Sequence, residues 1–210
     1  MHARTISVTL LAAAALGACG RTDQPLTGAD RTPVGPRAAP LAPVCVYFNV
    51  PPLGAVFGAP VATPPGTVVW VENGIPVSVQ KFLLIGGGSA FNWLQIANVP
   101  GAFTLGAGKA GHYNNINTSF DFTGLGFAPK AVTFNFYDQG GYENLLVNTS
   151  AVYIGPITTP PSPMGGANVS VASAAVFGGV QGTVKIDGAP VYRVMVGGQE
   201  FWVDNVCAYP

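Results

Sequence analysis

Ile116-Asn117-Thr118-Ser119-Phe120-Asp121-Phe122 is the stretch whose reading decides the fold class. In an extended chain, side chains alternate between two faces, so Ile116, Phe120 and Phe122 fall on one side and Asn117, Ser119 and Asp121 on the other. Val132-Thr133-Phe134-Asn135-Phe136 repeats the alternation. Working outward, strand-like runs punctuated by Gly, Pro or Asn recur at 44–48, 67–72, 77–85, 92–97, 144–147, 151–154, 168–172, 182–187, 191–196 and 200–206. About eleven short strands at such spacing predict an all-β, antiparallel β-sandwich of jelly-roll-like form. No stretch carries a capped helical period, and no solenoid repeat is present. Gly86-Gly87-Gly88-Ser89 follows an apolar run but lacks the Lys-Ser/Thr of a phosphate loop, and no helix follows it, so it reads as a hairpin turn. The proline-rich stretch 158–166 reads as a rigid connector.

Only 9% of the 210 residues are charged, against 28 glycines and 19 prolines, and the formal net charge is zero. No cluster of Lys or Arg is present, and phosphate backbones need a basic footprint, so a nucleic-acid partner is excluded. The N-terminus has the three-part layout of a secretory signal: Arg4, an apolar run from Ile6 to Leu16, then small residues. That run is shorter than the roughly 20 apolar residues a bilayer span needs. Leu16-Gly17-Ala18-Cys19 resembles the lipobox of bacterial lipoproteins, which implies cleavage before Cys19 and its diacylation. Two chains suffice for stable anchoring, at about 0.8 kcal/mol per buried methylene. By the same resemblance, Gly20 in place of Asp implies the outer membrane where one exists. From Gly20 to Val44 five prolines (Pro25, Pro33, Pro36, Pro40, Pro43) occur with no hydrophobic period, the composition of a disordered, partly polyproline-II tether. The expected organisation is a signal peptide over 1–18, lipidated Cys19 and tether over 19–43, and one sandwich domain over 44–210.

With Cys19 assigned to lipid, Cys45 and Cys207 remain. An even pair in an exported chain reads as a disulfide, here joining the first strand to the last.

Gly197-Gly198-Gln199-Glu200-Phe201-Trp202-Val203-Asp204-Asn205-Val206-Cys207 resembles the closing strand of galactose-binding-like jelly rolls, carbohydrate-binding modules among them. Phe48-Asn49 occupies the place where the opening strand of that group ends in Phe-Glu. The resemblance implies terminal strands side by side and a structural calcium ion between the two ends, carried over to Asn49 and Asp204. Asn at 49 removes a charge from that set. A direct Cys45–Cys207 pairing also turns Asn49 to the opposite face from Asp204, so a bulge or strand end is expected at Asn49.

No catalytic constellation emerges. His112 is the one histidine past the signal segment and reads as a loop residue, and no Ser stands in a Gly-x-Ser-x-Gly elbow. Glu72, Asp121, Asp138, Glu143, Asp187, Glu200 and Asp204 offer carboxylates, and no two are singled out for glycoside cleavage. Trp70, Trp93, Tyr113, Tyr137, Tyr142 and Tyr153 supply rings able to stack on a sugar. The stretch 137–144 is the best ligand loop, because it combines Tyr137, Asp138, Tyr142 and Asn144 with a Gly pair. The expectation is a membrane-anchored, non-catalytic binding or structural module of the cell envelope, with carbohydrate as ligand class by resemblance. A polysaccharide-acting enzyme on the same scaffold and a purely structural surface lipoprotein are the competing readings.

Overall fold

The computed structural model describes residues 41–101, 105–106 and 108–210. The expected signal segment, Cys19 and all but the end of the expected tether lie outside the described residues. The remainder is all β, with no α-helix among the described residues. Among the described residues fifteen strands form: β1 Val44–Val46, β2 Val56–Gly58, β3 Val68–Glu72, β4 Ile75–Leu83, β5 Ser89–Ala90, β6 Trp93–Asn98, β7 Lys109–Asn114, β8 Ile116–Asp121, β9 Ala131–Asp138, β10 Glu143–Val147, β11 Tyr153–Gly155, β12 Asn168–Val176, β13 Gly179–Asp187, β14 Arg193–Gly198 and β15 Phe201–Tyr209.

Two antiparallel sheets pack into a sandwich. The larger runs β12-β13-β9-β15-β7-β6-β2, and β1 also pairs with β15. The smaller runs β11-β10-β14-β8-β4-β3, and β5 pairs with β4. The chain passes back and forth between the sheets, as in a jelly roll. Alternation supplies the core: Phe120, Phe134, Phe136, Val194, Val196 and Phe201 are fully buried in one cluster between the sheets. Removing each such side chain from water contributes roughly 1.5–3 kcal/mol. The expected hairpin over 86–89 is present, with Leu83 opposite Ser89 and the Leu84 N–H donating to the Gly88 carbonyl.

The terminal strands are paired and clasped. Cys45 lies opposite Cys207 in the β1–β15 ladder, the two are disulfide-bonded, and their Cα atoms are 4.0 Å apart. Of the bulge or strand end expected at Asn49, β1 shows the strand end, stopping at Val46, and the bulge is on its partner strand. It lies on β15, where Asp204 pairs with Asn135 and Cys207 with Thr133, so one extra residue enters at Asn205, whose φ is 51°. That insertion keeps Phe201 and Val203 before it, and Val206 and Ala208 after it, all facing the core. β1 ends at Val46, and Phe48 follows in a left-handed conformation with its ring in the core.

β2 and β7 were not read as strands. β7 contains Gly111, which breaks the apolar pattern in sequence. In space it is required, because a Cβ there would lie 2.7 Å from the Phe48 ring and 2.9 Å from the Tyr113 ring.

Candidate functional site

β15 and β7 pair directly through Phe201↔Tyr113, Trp202↔His112 and Val203↔Gly111. Phe201, Tyr113 and Val203 turn inward to the core. Trp202 and His112 therefore stand on the opposite, outer face of the larger sheet. Their rings stack at 4.0 Å with planes 6° apart, and Trp93 of β6 meets His112 edge-on at 5.0 Å. Trp93 and His112 are half-buried, while Trp202 is covered. The correction for His112 is plain: it is a strand residue at the centre of an aromatic row, not a loop residue.

Amides border this row. Gln95 lies opposite His112 in β6, Asn114 lies opposite Trp93, and the Trp202 indole N–H donates to Gln139 Oε1 at 3.2 Å. Burial lowers the His112 pKa, with Glu200 pulling the other way, so the imidazole is neutral at neutral pH. On the same face, past Tyr137, a hollow of about 290 Å³ is lined by Asn135, Gln181, Thr183 and Ala172 among others. Gln181 Oε1 is buried without a partner. Such a surface offers aromatic rings to apolar C–H groups and amides to hydroxyls.

Of the four residues expected in a ligand loop, two are inside. Tyr137 is 1% exposed, packed beside Trp202 on the outer face with Leu105 and Ala110, and its hydroxyl donates to the Phe177 carbonyl. Asn144 is fully buried: its Oδ1 accepts from the Leu83 N–H at 2.6 Å and from Asn117 Nδ2 at 3.0 Å, and its Nδ2 donates to the Leu83 carbonyl at 3.1 Å. Neither presents a group to a ligand, and both are corrected to structural positions. Tyr142 stacks on Phe82 at 5.4 Å, and its hydroxyl accepts from the Ile85 N–H, which ties the β4–β5 hairpin down. Half of the expected loop is strand, since β9 runs to Asp138 and β10 begins at Glu143. Among the other candidate rings, Trp70 and Tyr113 are core residues, and the Tyr153 hydroxyl donates to the carbonyls of Pro156 and Thr159.

Asp138 and Glu143 close one end of the core. Glu143 Oε2 accepts from the Ile157 N–H at 2.8 Å, and burial, then the charge of Asp138, pushes the Glu143 pKa up to about 8. Burial also raises Asp138. Glu143 is fully buried, so a polysaccharide chain does not reach it.

The two residues carried over as calcium ligands part company. Asp204 is 1% exposed; its Oδ1 accepts from the Asn205 N–H at 2.7 Å, and its Oδ2 is buried without a partner. Burial, then the nearby charge of Glu72, pushes the Asp204 pKa up to about 7. Asn49 is exposed, and its carbonyl accepts from Lys109 Nζ. The carboxylate set against Asp204 belongs instead to Glu72 at the end of β3. Its Oε1 accepts from the N–H groups of Tyr47 and Asn49, at 3.1 and 3.3 Å, and its Oε2 is buried without a partner. The signal for Glu72 was parity: it is in phase with core-facing Trp70 on a short strand, where an acid needs a partner. Among the described residues no group of three or more His, Cys, Asp or Glu gathers as a metal site. Two orphaned carboxylate oxygens still fit a hard cation, which prefers oxygen donors and takes six to eight of them, the balance coming from carbonyls and water.

The chain matches no protein family, no curated protein and no solved structure.

Proposed function

We propose that this chain is a non-catalytic, lipid-anchored binding module of the cell envelope, and that the outer face of its larger sheet takes neutral carbohydrate. The observation that carries the reading is the Trp93–His112–Trp202 row, in which Trp93 and His112 are half-exposed, bordered by Gln95, Asn114 and Gln139. Sugars offer an apolar C–H face and a rim of hydroxyls, and this surface supplies a counterpart to each. A neutral imidazole in the row suits an uncharged ligand. A calcium ion belongs to the reading as a structural element: Glu72 and Asp204 would hold it, with Asn49 at the margin, and it would neutralise two acids that are otherwise buried close together. The anchor is Cys19, exported behind the signal segment.

The test is electrophoresis of the full chain through gels containing neutral polysaccharides. Wild type is retarded by at least one of them, Trp93→Ala and His112→Ala are not, and Tyr192→Ala, at an exposed ring away from the row, behaves as wild type. Equal migration of wild type with and without every polysaccharide, or equal retardation of the Trp93 and His112 variants, refutes the site. Separately, Cys19→Ser releases the protein from membranes, and a variant that still sediments with them shows the anchor to be misassigned.

A further inference from the structure

β12 forms one edge of the larger sheet, bonded along its whole length to β13, and no strand among the described residues pairs with its other side. It runs nine residues, against three for β2 and β11 and five for β3, the other outermost strands of the two sheets. In an antiparallel ladder alternate residues bond to the neighbour, and the rest turn their N–H and C=O groups away from it. About half of the β12 backbone groups therefore face outward.

An edge of this kind is a template for another strand, and sheets normally blunt it with charge, proline, a bulge or short length. Asn168-Val169-Ser170-Val171-Ala172-Ser173-Ala174-Ala175-Val176 has none of these devices. It carries no charge and no proline, and its register with β13 runs from Asn168↔Asp187 to Val176↔Gly179 without a shift. Ser170, Ala172, Ser173, Ala174 and Ala175 are exposed, and their small side chains leave the backbone open to approach.

We infer that this edge is an interaction surface whose occupant is β12 of a second copy of the chain, added antiparallel across a two-fold axis at Ala172. That register sets Asn168 opposite Val176, Val169 opposite Ala175, Ser170 opposite Ala174 and Val171 opposite Ser173. No position opposes like charges or two bulky side chains. A self-complementary patch of this sort is what a closed two-fold dimer needs. A formal net charge of zero removes long-range repulsion between copies. Phe177, at the turn after β12, is 92% exposed, more than any other large apolar side chain among the described residues. The same register carries it past the end of the second strand, alongside the turn at residue 167 of the second copy, where it gains cover. The two larger sheets then continue into one another through the dimer.

The test is cysteine cross-linking of the full chain under mild oxidation, read on non-reducing gels. Ala172→Cys lies on the axis and forms a covalent dimer. Ser170→Cys alone does not, whereas Ser170→Cys combined with Ala174→Cys does, because those positions face each other. Adding Ser173→Pro, which removes an N–H from the strand, abolishes the Ala172→Cys dimer while the far-ultraviolet spectrum keeps its β signature. Dimer yields from Ala172→Cys no greater than from Tyr192→Cys, or an Ala172→Cys dimer indifferent to Ser173→Pro, overturn the proposal. A wild-type chain that sediments as a monomer at all concentrations overturns it as well.

Discussion

Asp204 and Glu72 show how much a single buried oxygen can determine. Each acid has one carboxylate oxygen bonded to backbone N–H and one with no partner, and each is nearly out of water. Burial makes Asp204 hold its proton more tightly in the folded chain than in the unfolded one, so stability is lost as pH rises toward its folded pKa. Asp204, at about 7, and Glu143, at about 8, both act in this sense. His112, with a lowered pKa, acts in the opposite sense, only below its ordinary value of 6.5. Between about pH 6.5 and about pH 8.5 the carboxyl effects stand alone, and the melting temperature of the calcium-free protein falls across that window. Excess calcium reverses the Asp204 share of the loss, so the rise in melting temperature on adding calcium is larger at pH 8.5 than at pH 6.5. Asp204→Asn removes that response. Scanning calorimetry at both pH values decides it, and an equal calcium response in wild type and Asp204→Asn would show that no cation is held there. The sequence disclosed Asp204 through its place in the closing strand. Glu72 was legible only through its phase with Trp70, and the link between the two arises from the return of β3 beside the chain that follows β1, a contact with no local trace.

Between elements, side chains complete what the ladders leave open. The Asn144 amide stands in for a strand: it accepts from the N–H of Leu83 and donates to its carbonyl, fastening the end of β4 to β10, while Asn117 donates to Asn144 and to the Lys81 carbonyl. Truncating it leaves buried backbone groups unpaired at about 1–3 kcal/mol each. Asn144→Ala is therefore expected to cost roughly 2–4 kcal/mol in urea unfolding, with faster hydrogen exchange at Leu83 as its local sign. A loss below about 0.5 kcal/mol, the range of ordinary surface changes, would contradict the assignment. Gly197 makes this arrangement possible, since a Cβ there would lie 2.4 Å from Asn117 Oδ1. Strands with clean alternation, β8 and β9 above all, were readable from sequence because one face is largely apolar. β7 was not, because Gly111 and His112 interrupt its pattern for reasons of packing across the sheet. Asn144 was read as a ligand group because an amide beside a turn looks the same in sequence whether it faces water or a neighbouring backbone.

At the scale of the molecule, the sandwich class and the clasp between its ends were legible, since period-two runs and an even cysteine pair are each local signals with global consequences. Cys45 and Cys207 are 162 residues apart in sequence and directly opposite in the β1–β15 ladder. The outer aromatic row was not legible, because it is assembled from β6, β7 and β15, whose aromatic residues are scattered over more than a hundred positions. For carbohydrate binding on that face the chain carries its own control in its three tryptophans. Trp93 and Trp202 belong to the outer row, and Trp70 lies in the core on the other side of the larger sheet. The direct measurement is a nuclear magnetic resonance titration of the full chain with an oligosaccharide cut from the polysaccharide that retards it in gels, following the three indole N–H signals. Saturable shifts are expected at Trp93 and Trp202 with Trp70 unmoved; binding that leaves Trp93 and Trp202 in place while signals elsewhere shift contradicts a site on the outer row.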